Sequence, residues 1–122
     1  MEKRETTVRK ALEDAIDNHK KRNFSAADKL YTAILKQYPD HPDAMHNLGL
    51  LALQTGDKTH ALTNLRNAVD KHGQFKRFHI SLIDALIEFN EVKEAQVAIK
   101  RAEERDFGGP EIDKLKERLA QK

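Results

Sequence analysis

Six histidines and no cysteine set the range of chemistry open to this 122-residue chain. Without a thiol there is no disulfide, no thiolate metal site and no cysteine nucleophile. The imidazoles do not make up for it. His41 and His46 stand five apart across a helix start, and His72 and His79 seven apart, whereas a helical zinc pair needs i and i+4. Ser25 and Ser81 have no His/Asp arrangement in sequence that would activate a hydroxyl, and there is no Gly-rich phosphate loop. The expectation is therefore no catalytic residue, no metal and no cofactor.

Charge is the next candidate chemistry. The 22 Lys and Arg nearly balance the 20 Asp and Glu, for a net charge of +2, so no long-range field favours a polyanion. Local basic clusters occur at Lys20-Lys21-Arg22, at Lys76-Arg77, and at Lys100-Arg101 with Arg105. Acidic residues lie close to most of them, and none adjoins the interleaved aromatic run that single-strand binding uses. They read as solvated helix faces, with no nucleic-acid partner. Leu48 to Leu53, the longest apolar run, is too short to cross a bilayer, so no membrane partner is expected. Met1 to Lys10 is charged and lacks an apolar signal segment, which points to a cytoplasmic chain if this is the natural start.

The elements that must carry these residues follow a repeat. Ala27, Ala61 and Ala95 recur with a period of 34 residues, and so do Tyr31, Leu65 and Ile99, then Ile34, Ala68 and Ala102. Leu48 falls on Leu82, Ala52 on Leu86 and Gly56 on Asn90. Such a period means helical hairpins that bury their apolar faces only against a neighbour. No alternating strand pattern competes with it. A first helix is expected from Thr6 or Thr7 to about Lys21, and a second from a Ser25 cap with Asp28 through Tyr38. Pro39 stops that helix, and Pro42 suits the first turn of the third, which runs to Gln54. Gly56 and Asn90 supply tight turns, Asp57 caps the fourth helix, and Gly73 resets the chain before the fifth (Gln74 to Phe89). A sixth helix runs from about Glu91 to Arg105. After Gly108-Gly109-Pro110 comes a seventh, with Ile112, Leu115 and Leu119 on one face. One domain over 1–122 is expected, with repeats at about 8–41, 42–75 and 76–109 and a closing helix at 110–122.

The middle repeat reads Met45-x-x-Leu48-Gly49-x-x-Ala52, then Ala61-x-x-x-Leu65 and Ala68. This resembles the tetratricopeptide repeat, in which a large residue, Leu-Gly, an aromatic, Ala, an aromatic and Pro hold the same offsets. Ala27, Tyr31 and Pro39 supply the second half of the motif in the first repeat; Leu82, Leu86, Ala95, Ile99 and Ala102 carry the third. The resemblance implies an all-α fold, a right-handed superhelical solenoid of three antiparallel helix hairpins with a seventh capping helix. His79 replaces the motif's large residue and is expected between helices, whereas His60 is expected exposed. Asp14 and Asn18 stand where the sibling helices have leucine or alanine, so the first helix either packs in a shifted pose or turns these two towards the groove.

In this family the first helix of each hairpin lines the concave face. Carried over residue by residue, the lining is Arg9, Leu12, Glu13 and Ile16; Asp43, His46, Asn47, Leu50 and Gln54; then Arg77, Ile80, Ser81, Asp84 and Glu88. Family modules that clamp the carboxylate tail of heat-shock chaperones use Lys and Asn, then Asn, then Lys and Arg. Here Asn47 and Arg77 match in kind, but Leu12, Ile16 and Ser81 take the other places, and a terminal carboxylate needs convergent charged donors. Asn47 can bond an extended peptide backbone, or it is simply a frequent surface residue of the motif. Leu12, Ile16, Leu50 and Ile80 make an apolar strip for an amphipathic helix or hydrophobic peptide, unless the chain itself or a second copy covers it. The expected function is protein–protein interaction by a monomer or weak homodimer. A self-assembling scaffold and the repeat region of a larger enzyme, such as a transferase, are the alternatives.

Overall fold

The structure, a computed structural model, describes residues 2–122, with side-chain environments from Thr7 onward. Its elements are α1 (Glu2–Lys20), α2 (Phe24–Gln37), α3 (Pro42–Gln54), α4 (Lys58–Lys71), α5 (Lys76–Glu88), α6 (Val92–Glu104) and α7 (Pro110–Ala120). No strand occurs among the described residues. Helix α1 begins at Glu2, ahead of the expected Thr6 or Thr7.

The repeat period reappears in the turns. Arg22, Gly56 and Asn90, one period apart, have φ of 66°, 76° and 60°. In each case the following amide reaches back five residues: Asn23 donates to the Asn18 carbonyl, Asp57 to Ala52 and Glu91 to Leu86, all at 2.8 Å. These bonds satisfy carbonyls that a helix end would otherwise leave without a donor. Glycine adopts that backbone freely and Asn tolerates it. Arg22 does so against a steric cost of roughly 1–2 kcal/mol, with its guanidinium 5.1 Å from the Phe24 ring.

The same turn corrects one expected cap. It sets Asn23 directly before α2, so Asn23 rather than Ser25 is the N-cap; its carbonyl receives the Ala27 amide, with no side-chain bond. His41 caps α3 through Nδ1, which accepts the Ala44 N–H at 3.1 Å, and Pro42 follows in the first turn. Asp57 caps α4 as its sequence position predicts. Its Oδ1 accepts the His60 N–H at 3.2 Å and its Oδ2 meets His60 Nδ1 at 2.7 Å. These bonds, the backbone one first, hold its carboxyl below the usual range.

Two compact units partition the contacts, Met1–Asn64 and Leu65–Lys122, with the boundary inside α4. In the first, Ala15, Ala27, Tyr31 and Leu51 form a core with Leu12, Ile16, Phe24, Leu30 and Leu48 packed on it. Helix α1 therefore takes the shifted pose. Asp14 is exposed, and Ala15 turns inward against Ala27, both fully buried. Short side chains there let two helix backbones come close. His19 ties three helices together: Nδ1 lies 3.1 Å from the Tyr31 hydroxyl and Nε2 2.6 Å from Gln54 Oε1. Burial pushes the Tyr31 pKa up to about 12, so its phenol stays protonated and can donate to Nδ1. The imidazole then donates from Nε2 to Gln54 Oε1.

In the second unit α5 contributes buried Phe78, Leu82, Ile83 and Leu86, facing Ala95, Ile99 and Ala102 of α6. Ile112 and Leu115 of α7 are buried, and Leu119 is half-buried. One period after Leu82 and Leu86, α7 places Lys116 and Ala120, both exposed. Lys116 reaches Glu103 of α6 at 3.1 Å. The stripe that in α5 carries two buried leucines is thus polar or small in α7, as a closing helix requires. Ion pairs join α7 to α5, Lys76 with Glu111 at 3.2 Å and Arg118 with Asp84 at 2.6 Å.

At the start of α5, Gly73 is used for room. A Cβ there would lie 2.8 Å from the Val69 carbonyl oxygen and 3.1 Å from Arg105 Nη2. The Gly73 carbonyl accepts from His79 Nε2 at 2.8 Å and from Arg105 Nη1 at 2.9 Å. His79 is buried and meets Phe107 edge-on, as expected for a residue between helices.

Candidate interaction surface

The expected lining residues fall into three groups by exposure. Arg9, Glu13 and Arg77 are exposed, and Leu12, Ile16, Asn47, Leu50, Ile80, Ser81 and Asp84 are half-buried. His46 is only 7% exposed, so it offers a ligand little surface. Leu12 and Ile16 spend part of their surface on the core of their own unit, a consequence of the turned α1. That leaves Asn47 and Leu50 as the half-buried pair on α3, beside the Gln54 amide that His19 holds.

In the second unit Ser81 and Asp84 stand one period after Asn47 and Leu50, and Arg77 and Ile80 lie one turn nearer the start of α5. The Arg77 guanidinium lies 5.0 Å from the Phe78 ring centre and 5.5 Å from that of Phe75. Two aromatic faces restrict its rotamers and present its N–H edges in a limited set of directions. Phe75 itself is 37% exposed. Asp84 accepts from Arg118 at 2.6 Å, so its carboxylate is already engaged within the unit. Arg118, His19 and Phe75 were not among the sequence candidates. For His19 a signal existed, because it stands one period before Leu53 and two before Ile87. A histidine in an apolar register marks a polar tie.

Among the described residues no cluster of three or more His, Asp or Glu could hold a metal ion. No helix there is long and apolar enough to cross a membrane. The chemistry on offer is hydrogen bonding by an amide, one oriented guanidinium and apolar contact.

Comparison with known proteins gives the same picture of the fold. Two family models, both described as tetratricopeptide repeat, match residues 52–119 and 12–62. No curated protein sequence matches the chain. The first TPR of Spaghetti (RPAP3) bound to the HSP90 peptide SRMEEVD is similar in structure at a TM-score of 0.83 and 16% identity; the match covers 93% of this chain and 90% of that one. The TPR2B domain of yeast Sti1, in complex with pHsp70, gives 0.82 at 22% identity and covers 95% and 98%. The Thermobaculum terrenum O-GlcNAc transferase gives 0.73 at 26% identity over 81% of this chain, which spans only 19% of the transferase. With more than half of its length under one repeat model, and its turns, caps and alanines in phase, this chain belongs to the tetratricopeptide repeat family.

Proposed function

We propose that this chain is a non-catalytic protein-interaction module that takes a peptide or amphipathic helix of a partner protein against the first helices of its hairpins. The observation that carries the reading is a pairing of the same kind on two first helices, offset by one turn in repeat register. Half-buried Leu50 accompanies Asn47 on α3, and half-buried Ile80 accompanies exposed Arg77 on α5. An apolar contact next to an amide or a guanidinium suits a ligand with one apolar edge and an accessible backbone. The repeats at about 8–41, 42–75 and 76–109 are the units that present these pairs. The two similar TPR domains hold an HSP90 peptide and pHsp70. Here Leu12, Ile16 and Ser81 replace charged or amide clamp positions, so the proposed ligand is chosen by apolar contact more than by a terminal carboxylate.

The test uses the protein captured by the isolated chain and titration calorimetry of that pair. Leu50→Glu weakens the complex by about 2 kcal/mol or more, if Leu50 is buried by the ligand. Asn47→Ala costs about 1 kcal/mol through a lost backbone bond. Melting curves of both variants stay close to the parent. Full affinity in both, with folding intact, removes this surface from the reading.

The similarity to the transferase favours a second reading, in which this chain is the repeat region of a longer enzyme such as a transferase. The gene sequence flanking this chain decides between the two.

A further inference from the structure

A cleft of about 690 Å³ opens in the first unit between α2, α3 and the start of α4. It uses the Leu48, Leu51 and Thr55 side of α3, one residue round the helix from Asn47 and Leu50. Buried Leu51 and half-buried Leu48 line it together with exposed Asp28, Thr32, Asp57 and His60, and no Lys or Arg is among its lining residues. On a chain of net charge +2 this is a locally acidic, partly apolar recess.

The repeat itself shows what such a recess lacks. One period on, Asp28 becomes Leu62, Thr32 becomes Arg66 and His60 becomes Glu94. There the Arg66 guanidinium forks across from α4 to α6, with Nε 2.7 Å and Nη2 2.5 Å from the two Glu94 oxygens. In the first interval the place of that arginine is taken by a threonine too short to cross. Its hydroxyl donates to Asp28 at 3.0 Å instead. Asp28 and Asp57 are each held by a single residue, Thr32 and His60, and a carboxylate has acceptor sites for more.

We propose that this cleft is a docking site for an arginine side chain that a partner peptide presents between apolar residues. The guanidinium pairs with Asp28 and Asp57 as a planar, two-pronged donor, and its methylene stem lies over Leu48. Arginine is favoured over lysine because its planar fork can donate to two carboxylates at once, which a single ammonium does poorly. This site is separate from the Asn47 and Leu50 surface and stands whether or not that surface binds.

The test is a ¹⁵N NMR titration of the full chain with Ac-Leu-Arg-Leu-NH₂ and with its citrulline analogue, which keeps the shape and loses the charge. The arginine peptide shifts amides at Asp28, Thr32, Leu48 and Asp57 to Asn64, and the citrulline peptide binds about tenfold more weakly. A double variant, Thr32→Arg with His60→Glu, transplants the Arg66–Glu94 pair and abolishes the shifts. Asp28→Asn, which preserves shape, weakens binding several-fold and keeps the proposal testable if the double variant does not fold. No shifts at millimolar peptide, shifts centred elsewhere, equal binding of citrulline or lysine analogues, or unaltered binding by well-folded variants would each overturn it.

Discussion

Replacing Gly73 by alanine tests whether the start of α5 is set by close approach. The added Cβ lies 2.8 Å from the Val69 carbonyl oxygen, closer than carbon and oxygen can sit, and 3.1–3.2 Å from the Arg105 guanidinium. The carbonyl belongs to α4 and moves only with the helix. Arg105 can swing away, at the loss of its 2.9 Å bond to the Gly73 carbonyl. A bond to a charged group contributes about 1.5–3 kcal/mol, and the exposed position of Arg105 puts it at the low end. Overpacking adds about 1–3 kcal/mol, while the stiffer unfolded chain returns about 0.4–1 kcal/mol. The net is a loss of about 1.5–4 kcal/mol, or roughly 5–15 °C in Tm for a chain of this size. Gly56→Ala is the control. A Cβ there meets nothing within 4 Å, and only the φ of 76° costs, about 1 kcal/mol. Urea melts of Gly73→Ala, Arg105→Ala and the double variant separate the two terms, since displacement of Arg105 makes the double less than additive. A Gly73→Ala protein with the parent midpoint would refute the reasoning.

Two further outcomes concern the packing. Ala61 is fully buried, and Ala61→Leu should destabilise by about 1–3 kcal/mol through overpacking; an unchanged denaturant midpoint would mean that the small side chain is not needed there. Burial, with help from Arg101 and Arg105, pulls the His79 pKa down despite its bond to the Gly73 carbonyl. The unfolded chain then binds a proton the native state refuses, so stability is intact above about pH 6.5 and falls as pH drops below it. His79→Gln should flatten that slope in melts between about pH 7 and 5.5, and a parent protein with no slope in that window would contradict the assignment.

Helix type, number and turns were legible because the period puts the same requirement on the same position three times. Gly56 and Asn90 announce left-handed turns by residue type; Arg22 does not, and only its phase with them gives it away. The Ser25 cap misled because a preferred capping residue lay two places inside a helix whose start the preceding turn had already fixed. The turned pose of α1 was readable as a conflict, Asp14 in a leucine register, but its resolution depended on Ala15 finding Ala27 across the hairpin. The candidate surface was less legible. Burial of His46 and capture of Asp84 by Arg118 depend on neighbours distant in sequence, which no local pattern encodes.

The central claim, that partners meet the first helices of the hairpins, is tested most directly by site-specific photocrosslinking. A benzophenone amino acid replaces Asn47 on α3 in one variant and exposed Lys93 on α6 in another. Each is irradiated with the captured partner. The account predicts an adduct from position 47 and none from position 93. Crosslinking from 93 with none from 47, in two equally folded variants, would contradict it.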